Sequence, residues 1–128
     1  MAERQKILID DSKTASEAIA EYTGVTITGG SVATAAANGP VDGIALNSAD
    51  EGQQVRIALV GLTVLKVGTA TNISAGDIIT VNASGEGIAL AGGANSGNIR
   101  ANEDAGAAGD FIRVYVDVFN NSNVTEGA

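Results

Sequence analysis

Along most of the chain, apolar and polar residues alternate with a period of two, the spacing that puts every second side chain on one face of a β-strand. The clearest case is DFIRVYVDVF, Asp110 to Phe119, where Ile112, Val114, Val116 and Val118 share one face. That face is wholly β-branched, as a buried core strand requires. Phe111, Arg113, Tyr115, Asp117 and Phe119 share the other face, which holds three of the four aromatic residues in the chain. Aromatics with Arg are enriched where subunits meet, so Phe111, Arg113, Tyr115 and Asp117 form a candidate oligomer interface. QQVRIAL (Gln53 to Leu59) alternates in the same way, and LTVLKV (Leu62 to Val67) follows Gly61 as a further strand.

Shorter strands are expected at Val25–Thr28, Ser31–Ala35, Gly43–Leu46, Asp77–Val81 and Gly87–Leu90, with another at Ile99. Gly29-Gly30, the Asn38–Gly43 segment with the sole proline, and the SGEG sequence separate them as turns. Many short strands with turn signals between them predict an all-β fold, a small β-barrel or sandwich-like domain. No amphipathic helical pattern alternates with the strands, which argues against α/β layering.

The beginning of the chain reads differently. Residues 1–22 hold three of the seven basic residues and a short aliphatic patch at Ile7, Leu8 and Ile9. DSKTASEAIAEY predicts a short helix, capped by Asp11 or Ser12, with Ala15, Ala18, Ile19 and Tyr22 as a thin apolar stripe. The organisation expected is an N-terminal extended arm (1–22), a β domain (23–119) and a polar tail (120–128). Lys6, Ile7, Leu8 and Ile9 are the candidate docking residues of the arm, able to add to a partner strand or fill a groove.

Two segments repeat the pattern A-G-D-x-I-x-V: AGDIITV (Ala75 to Val81) and AGDFIRV (Ala108 to Val114). Either the aspartates are a pair of chemical carboxylates, or the motif opens strands. A third, degenerate copy favours the second reading. Gly52 precedes Val55, Arg56 and Ile57 as Gly109 precedes Ile112, Arg113 and Val114, and Gln53 stands where Asp77 and Asp110 stand. A structural turn needs only a glycine for the unusual φ and a polar residue to bond locally.

Composition narrows the chemistry further. The 128 residues contain no histidine and no cysteine, which removes Ser-His-Asp triads, thiolate nucleophiles and His- or Cys-based metal sites. Adjacent acid pairs (Asp10-Asp11, Asp50-Glu51, Glu103-Asp104) would point to opposite faces of a strand. NEDAG is a poor match to a calcium loop, and no phosphate-binding glycine motif occurs. No enzyme, cofactor or metal is expected. The net charge is −8, with seven basic against fifteen acidic residues and no basic cluster, so nucleic acid is not an expected partner. The longest apolar run, Ile57 to Leu65, falls short of the ~20 residues that span a bilayer. Seventeen glycines and few aromatics give a lone monomer modest support, which points to an oligomer.

The order GPVDGIAL, GQQVRIALVGLTVLKVG, ISAGDIITVNASGEGIAL, GNIRANEDAGAAGDFIRVYV resembles the head decoration, or capsid cement, proteins of tailed bacteriophages over residues 25–118. The resemblance implies a small β-barrel-like domain, usually a trimer, on the outside of the mature head. It further implies an arm reaching across neighbouring subunits of the major capsid protein, a place in the virion, and assembly in the host cytoplasm. The alternative is a carbohydrate-binding or adhesin module, whose aromatic platform would come from Tyr22, Phe111, Tyr115 and Phe119.

Overall fold

The computed structural model describes residues 6–37, 39–68, 73–89 and 99–118. Phe119, the 120–128 tail and the Gly-rich stretch 91–98 lie outside them. Among the described residues there are nine strands and no helix: β1 (Lys6–Ala15), β2 (Gly24–Thr28), β3 (Ser31–Thr34), β4 (Gly43–Ala45), β5 (Gln54–Lys66), β6 (Ile78–Val81), β7 (Gly87–Ala89), β8 (Ile99–Ala101) and β9 (Phe111–Asp117).

The strands hydrogen-bond in the order β1-β3-β2-β4-β5-β9-β8-β6-β7, with β1 also pairing β5. β5 is the spine. One of its edges carries β1, and the other carries β4 and then β9. Two lobes therefore share this strand, in a sandwich-like arrangement rather than one closed barrel. The smaller lobe encloses Val25, Val32, Val55 and Ile57 with Ala15 and Ile19. The larger encloses Ile44, Leu65, Ile79, Ile99, Ile112 and Val114. Each fully buried Val or Ile contributes about 1.5–3 kcal/mol relative to exposure, so aliphatics carry both cores. The alternation read in the last strand holds: Ile112, Val114 and Val116 are buried, while Phe111 and Tyr115 are exposed.

Two local expectations are corrected. The helix over Asp11–Tyr22 does not form; Asp11 and Ser12 lie within β1, and the residues after Ala15 run through bends and turns. The thin apolar stripe could not sustain a helix, whereas β5 offers a backbone edge that pairs from Lys6↔Leu62 to Thr14↔Gln54. Nor does Gly61 divide two strands. β5 runs through it for thirteen residues, with Gly61 at φ +138°.

Candidate functional surfaces

The repeated turn is built the same way three times. Gly52, Gly76 and Gly109 all have positive φ, at 90°, 94° and 85°. The residue after each glycine accepts a backbone N–H from three positions back through its side chain. Asp77 accepts from Ser74 (2.9 Å), Gln53 from Asp50 (2.8 Å), and Asp110 from Ala107 (2.8 Å), with Gly106 adding a second donor to Asp110 (2.9 Å). Each turn also clasps the end of another strand. Gly52, Gly76 and Gly109 donate to the carbonyls of Ala15, Ala101 and Val67, whose own N–H groups donate to the carbonyls of Gln53, Asp77 and Asp110. Ala15, Ala101 and Val67 are each buried. The carboxylates are thus turn locks. Among the described residues no three His, Cys, Asp or Glu side chains gather as metal ligands.

The arm residues are placed by a pair of offset bulges. Ile7 pairs with Gly61 and Ile9 with Val60, while Asp10 pairs with Ala58, so Leu8 on β1 and Leu59 on β5 are each left over. Bulges re-aim side chains. Leu8 is thrown outward and is 67 % exposed, and Ile9 is 44 % exposed. Ile7 instead packs against the larger core. The crossing depends on Gly61, where a Cβ would strike the Lys6 carbonyl oxygen and lie 2.9 Å from Ile7 Cα and Leu8 N.

The residues of the predicted interface divide. Phe111 meets Tyr22 edge-on, with ring centroids 5.8 Å apart at 77°. Tyr22 is held in place with φ 64°, its N–H donating to Ala45 O and its carbonyl accepting from Lys66 N. Arg113 is engaged by Glu103, which accepts its backbone N–H at 2.9 Å and lies 3.4 Å from its Nε. Tyr115 and Asp117 are elsewhere, on an open and largely apolar groove of about 510 Å³ that is also lined by Lys6, Leu8, Val60, Gly61, Leu62 and Val116. The structure therefore brings together Lys6 and Leu8 from the arm with Tyr115 and Asp117 from the last strand. The edge-on rings of Tyr22 and Phe111 give no common flat platform of the kind a sugar ring would need.

Sequence reading missed Val60, Gly61, Leu62 and Arg100 as partners of these residues. The signal lay in cross-strand register, which a single strand's alternation does not contain. The wrong division of β5 at Gly61 concealed it further.

Among the described residues the chain is a small all-β module with an exposed, mainly apolar groove where β1, β5 and β9 meet. The chain belongs to the phage cement protein family, which it matches over residues 2–116. No curated protein matches it. In structure it is similar to the N base of the head fiber protein gp8.5 of bacteriophage phi29, with a TM-score of 0.68 and 16% identity, covering 86% of this chain and 94% of that one. That likeness is one of fold. Family membership makes the protein a structural, capsid-decorating component associated with the phage head.

Proposed function

We propose that this protein cements a mature head from outside by bridging neighbouring copies of the major capsid protein, and that it does so as a homo-oligomer, most simply a trimer, added in the host cytoplasm. The observation that carries the reading is the family match along nearly the whole chain. From the arm, Lys6, Leu8 and Ile9 supply the capsid contact, while Ile7 anchors the strand on the larger core, and the outer face of β9 (Phe111, Arg113, Tyr115, Asp117) supplies contacts between copies. An oligomer engaging several capsid sites at once converts modest contacts into tight binding through effective concentration. Selective binding to the expanded shell stabilises that state by mass action.

Ile9 tests the capsid contact, because it is exposed and lies outside the groove. Co-sedimentation of Ile9→Asp with expanded and unexpanded capsids should show lowered occupancy on the expanded form, with the parent binding the expanded form alone. Equal occupancy by parent and variant would overturn the arm assignment; equal parental binding to both capsid forms would overturn the selectivity.

A further inference from the structure

β7, the last strand in the sheet order, returns to the spine. Val67, the residue after β5, forms an isolated parallel bridge with Gly87, the first residue of β7. Gly68 adds a hydrogen bond, its N–H donating to the Gly87 carbonyl at 2.8 Å. Three polar side chains gather beside this seam. Lys66 ends β5, Asn82 follows β6 and Glu86 precedes β7. The Glu86 carboxylate spans the other two: its Oε1 accepts from Asn82 Nδ2 at 3.2 Å, and its Oε2 lies 3.6 Å from Lys66 Nζ.

The Asn82 carboxamide is held through its oxygen as well. Oδ1 accepts the backbone N–H groups of Ser84 at 2.9 Å and Glu86 at 3.0 Å. Two N–H donors on one carbonyl oxygen stabilise the charge that develops there when the carbonyl carbon is attacked. The carboxamide lies against Gly68, where a Cβ would strike Asn82 Nδ2 and sit 3.4 Å from Asn82 Cγ. Lys66 is two residues from Gly68 along extended backbone, so its side chain leaves the same face. Its flexible stem brings the amine to the carboxylate that Asn82 also touches. A nucleophile, a polarised carbonyl and a proton carrier are thus in one place.

We propose that Lys66 and Asn82 form an intramolecular isopeptide bond, with Glu86 moving the protons. Glu86 takes a proton from the Lys66 ammonium, and the freed lone pair of Nζ attacks Asn82 Cγ. The Nζ–Cγ bond forms while the Ser84 and Glu86 N–H groups hold the charge on Oδ1. The Cγ–Nδ2 bond then breaks, and the two protons shed by Nζ pass through Glu86 to Nδ2, which leaves as ammonium. One ammonium group and one carboxamide become one secondary amide and one ammonium ion, with nothing oxidised or reduced. The reaction runs once per chain, so it is self-modification and not turnover. Its product ties β5 covalently to the β6–β7 turn, at a seam otherwise closed by an isolated bridge.

Mass spectrometry of a tryptic digest of the full chain tests this. Trypsin cuts after Lys and Arg, so an unlinked chain is cleaved at Arg56, Lys66 and Arg100. In the parent the stretch from Ile57 to Arg100 should survive as one peptide, uncut after Lys66 and lighter by one ammonia than its residues require. Two variants sharpen the reading. Lys66→Arg keeps a cation beside Glu86 but removes the nucleophilic amine, and Glu86→Gln keeps the shape but removes the proton carrier; both should retain the ammonia. A parent cut at Lys66 into peptides of full mass overturns the proposal. So does a Lys66→Arg variant that still lacks an ammonia, because the loss then comes from an asparagine closing on its own backbone as a succinimide. A Glu86→Gln variant that links as completely as the parent overturns the part given to Glu86.

Discussion

The three strand-opening turns and the crossing of β1 over β5 make opposite use of their residues. At Gly52, Gly76 and Gly109 the polar atoms close on themselves: a side-chain oxygen takes the N–H three residues back, and the glycine N–H and the next carbonyl clasp a buried strand end. At Gly61 the chain is arranged to turn side chains outward. Two offset bulges throw Leu8 into solvent beside Tyr115, above a groove with an apolar lining. Acidic residues look like the chemistry of this protein when read in sequence, yet at the turns they are tied to neighbouring backbone N–H groups. The groove beside the crossing is lined instead by aliphatic and aromatic side chains, with Lys6 and Asp117 among them.

The glycines provide the sharpest contrast. All four have positive φ, but a Cβ at Gly52, Gly76 or Gly109 meets nothing within 4 Å, whereas at Gly61 it runs into β1. Gly61→Val should therefore cost about 2–4 kcal/mol, combining steric overlap with backbone strain. Gly109→Val should cost only about 1–2 kcal/mol, from the left-handed backbone alone. Urea denaturation gives the two values, and hydrogen exchange locates them. Protection at Gly61→Val should be lost first along Lys6 to Asp10. Equal costs at the two sites would remove the distinction between a turn glycine and a crossing glycine.

The turn side chains rank next. Asp110→Ala should cost about 1–2 kcal/mol, because a charged acceptor is removed from two backbone donors. Asp77→Ala should cost less, with a single donor left over, and Gln53→Ala least, because its acceptor is neutral. Far-UV circular dichroism during thermal unfolding should give Tm falling most for Asp110→Ala and least for Gln53→Ala. An inverted order would mean that the clasp of the neighbouring strand end, and not the side-chain lock, carries the turn.

Much of this division was legible in the sequence. The buried face of β9 follows from Ile112, Val114 and Val116 at alternate positions, because burial and alternation are the same statement for a half-buried strand. The structural reading of A-G-D follows from the Gln53 copy, which keeps the acceptor oxygen and discards the charge. The crossing was not legible. Whether Gly61 ends a strand or lets another strand pass depends on what lies beside it, and nothing local records that β1 does. Likewise Asp11 and Ser12 are sound helix caps by local preference, but β5's open edge outweighs a helix with so little apolar surface. The meeting of Lys66 with Asn82 and Glu86 joins β5 to the β6–β7 turn, so it emerges only once those elements are placed together.

The boundary between the two uses of polar atoms falls inside β1, and pH locates it. Beyond the open stretch at Leu8 and Ile9, the carboxylate of Asp11 accepts the Ser12 N–H at 2.8 Å and sits 3.2 Å from the Lys13 ammonium. The Ser12 hydrogen bond first, and then Lys13, hold the Asp11 carboxyl below its ordinary value of 3.8. A carboxyl lowered in the folded state favours folding above its unfolded value and loses that contribution as pH falls through the lower, folded one. Nothing should change near neutrality. The group is exposed, so its effect on overall stability is smaller than that of any glycine or turn side chain above, and it is best read locally. In NMR titration the Ser12 amide shift should follow Asp11 with a midpoint below 3.8, and Asp11→Asn should abolish the response. A midpoint at or above 3.8 would mean that Asp11 does not close this edge. The edge of β1 would then be open further along than Leu8 and Ile9, and the surface offered to a partner correspondingly longer.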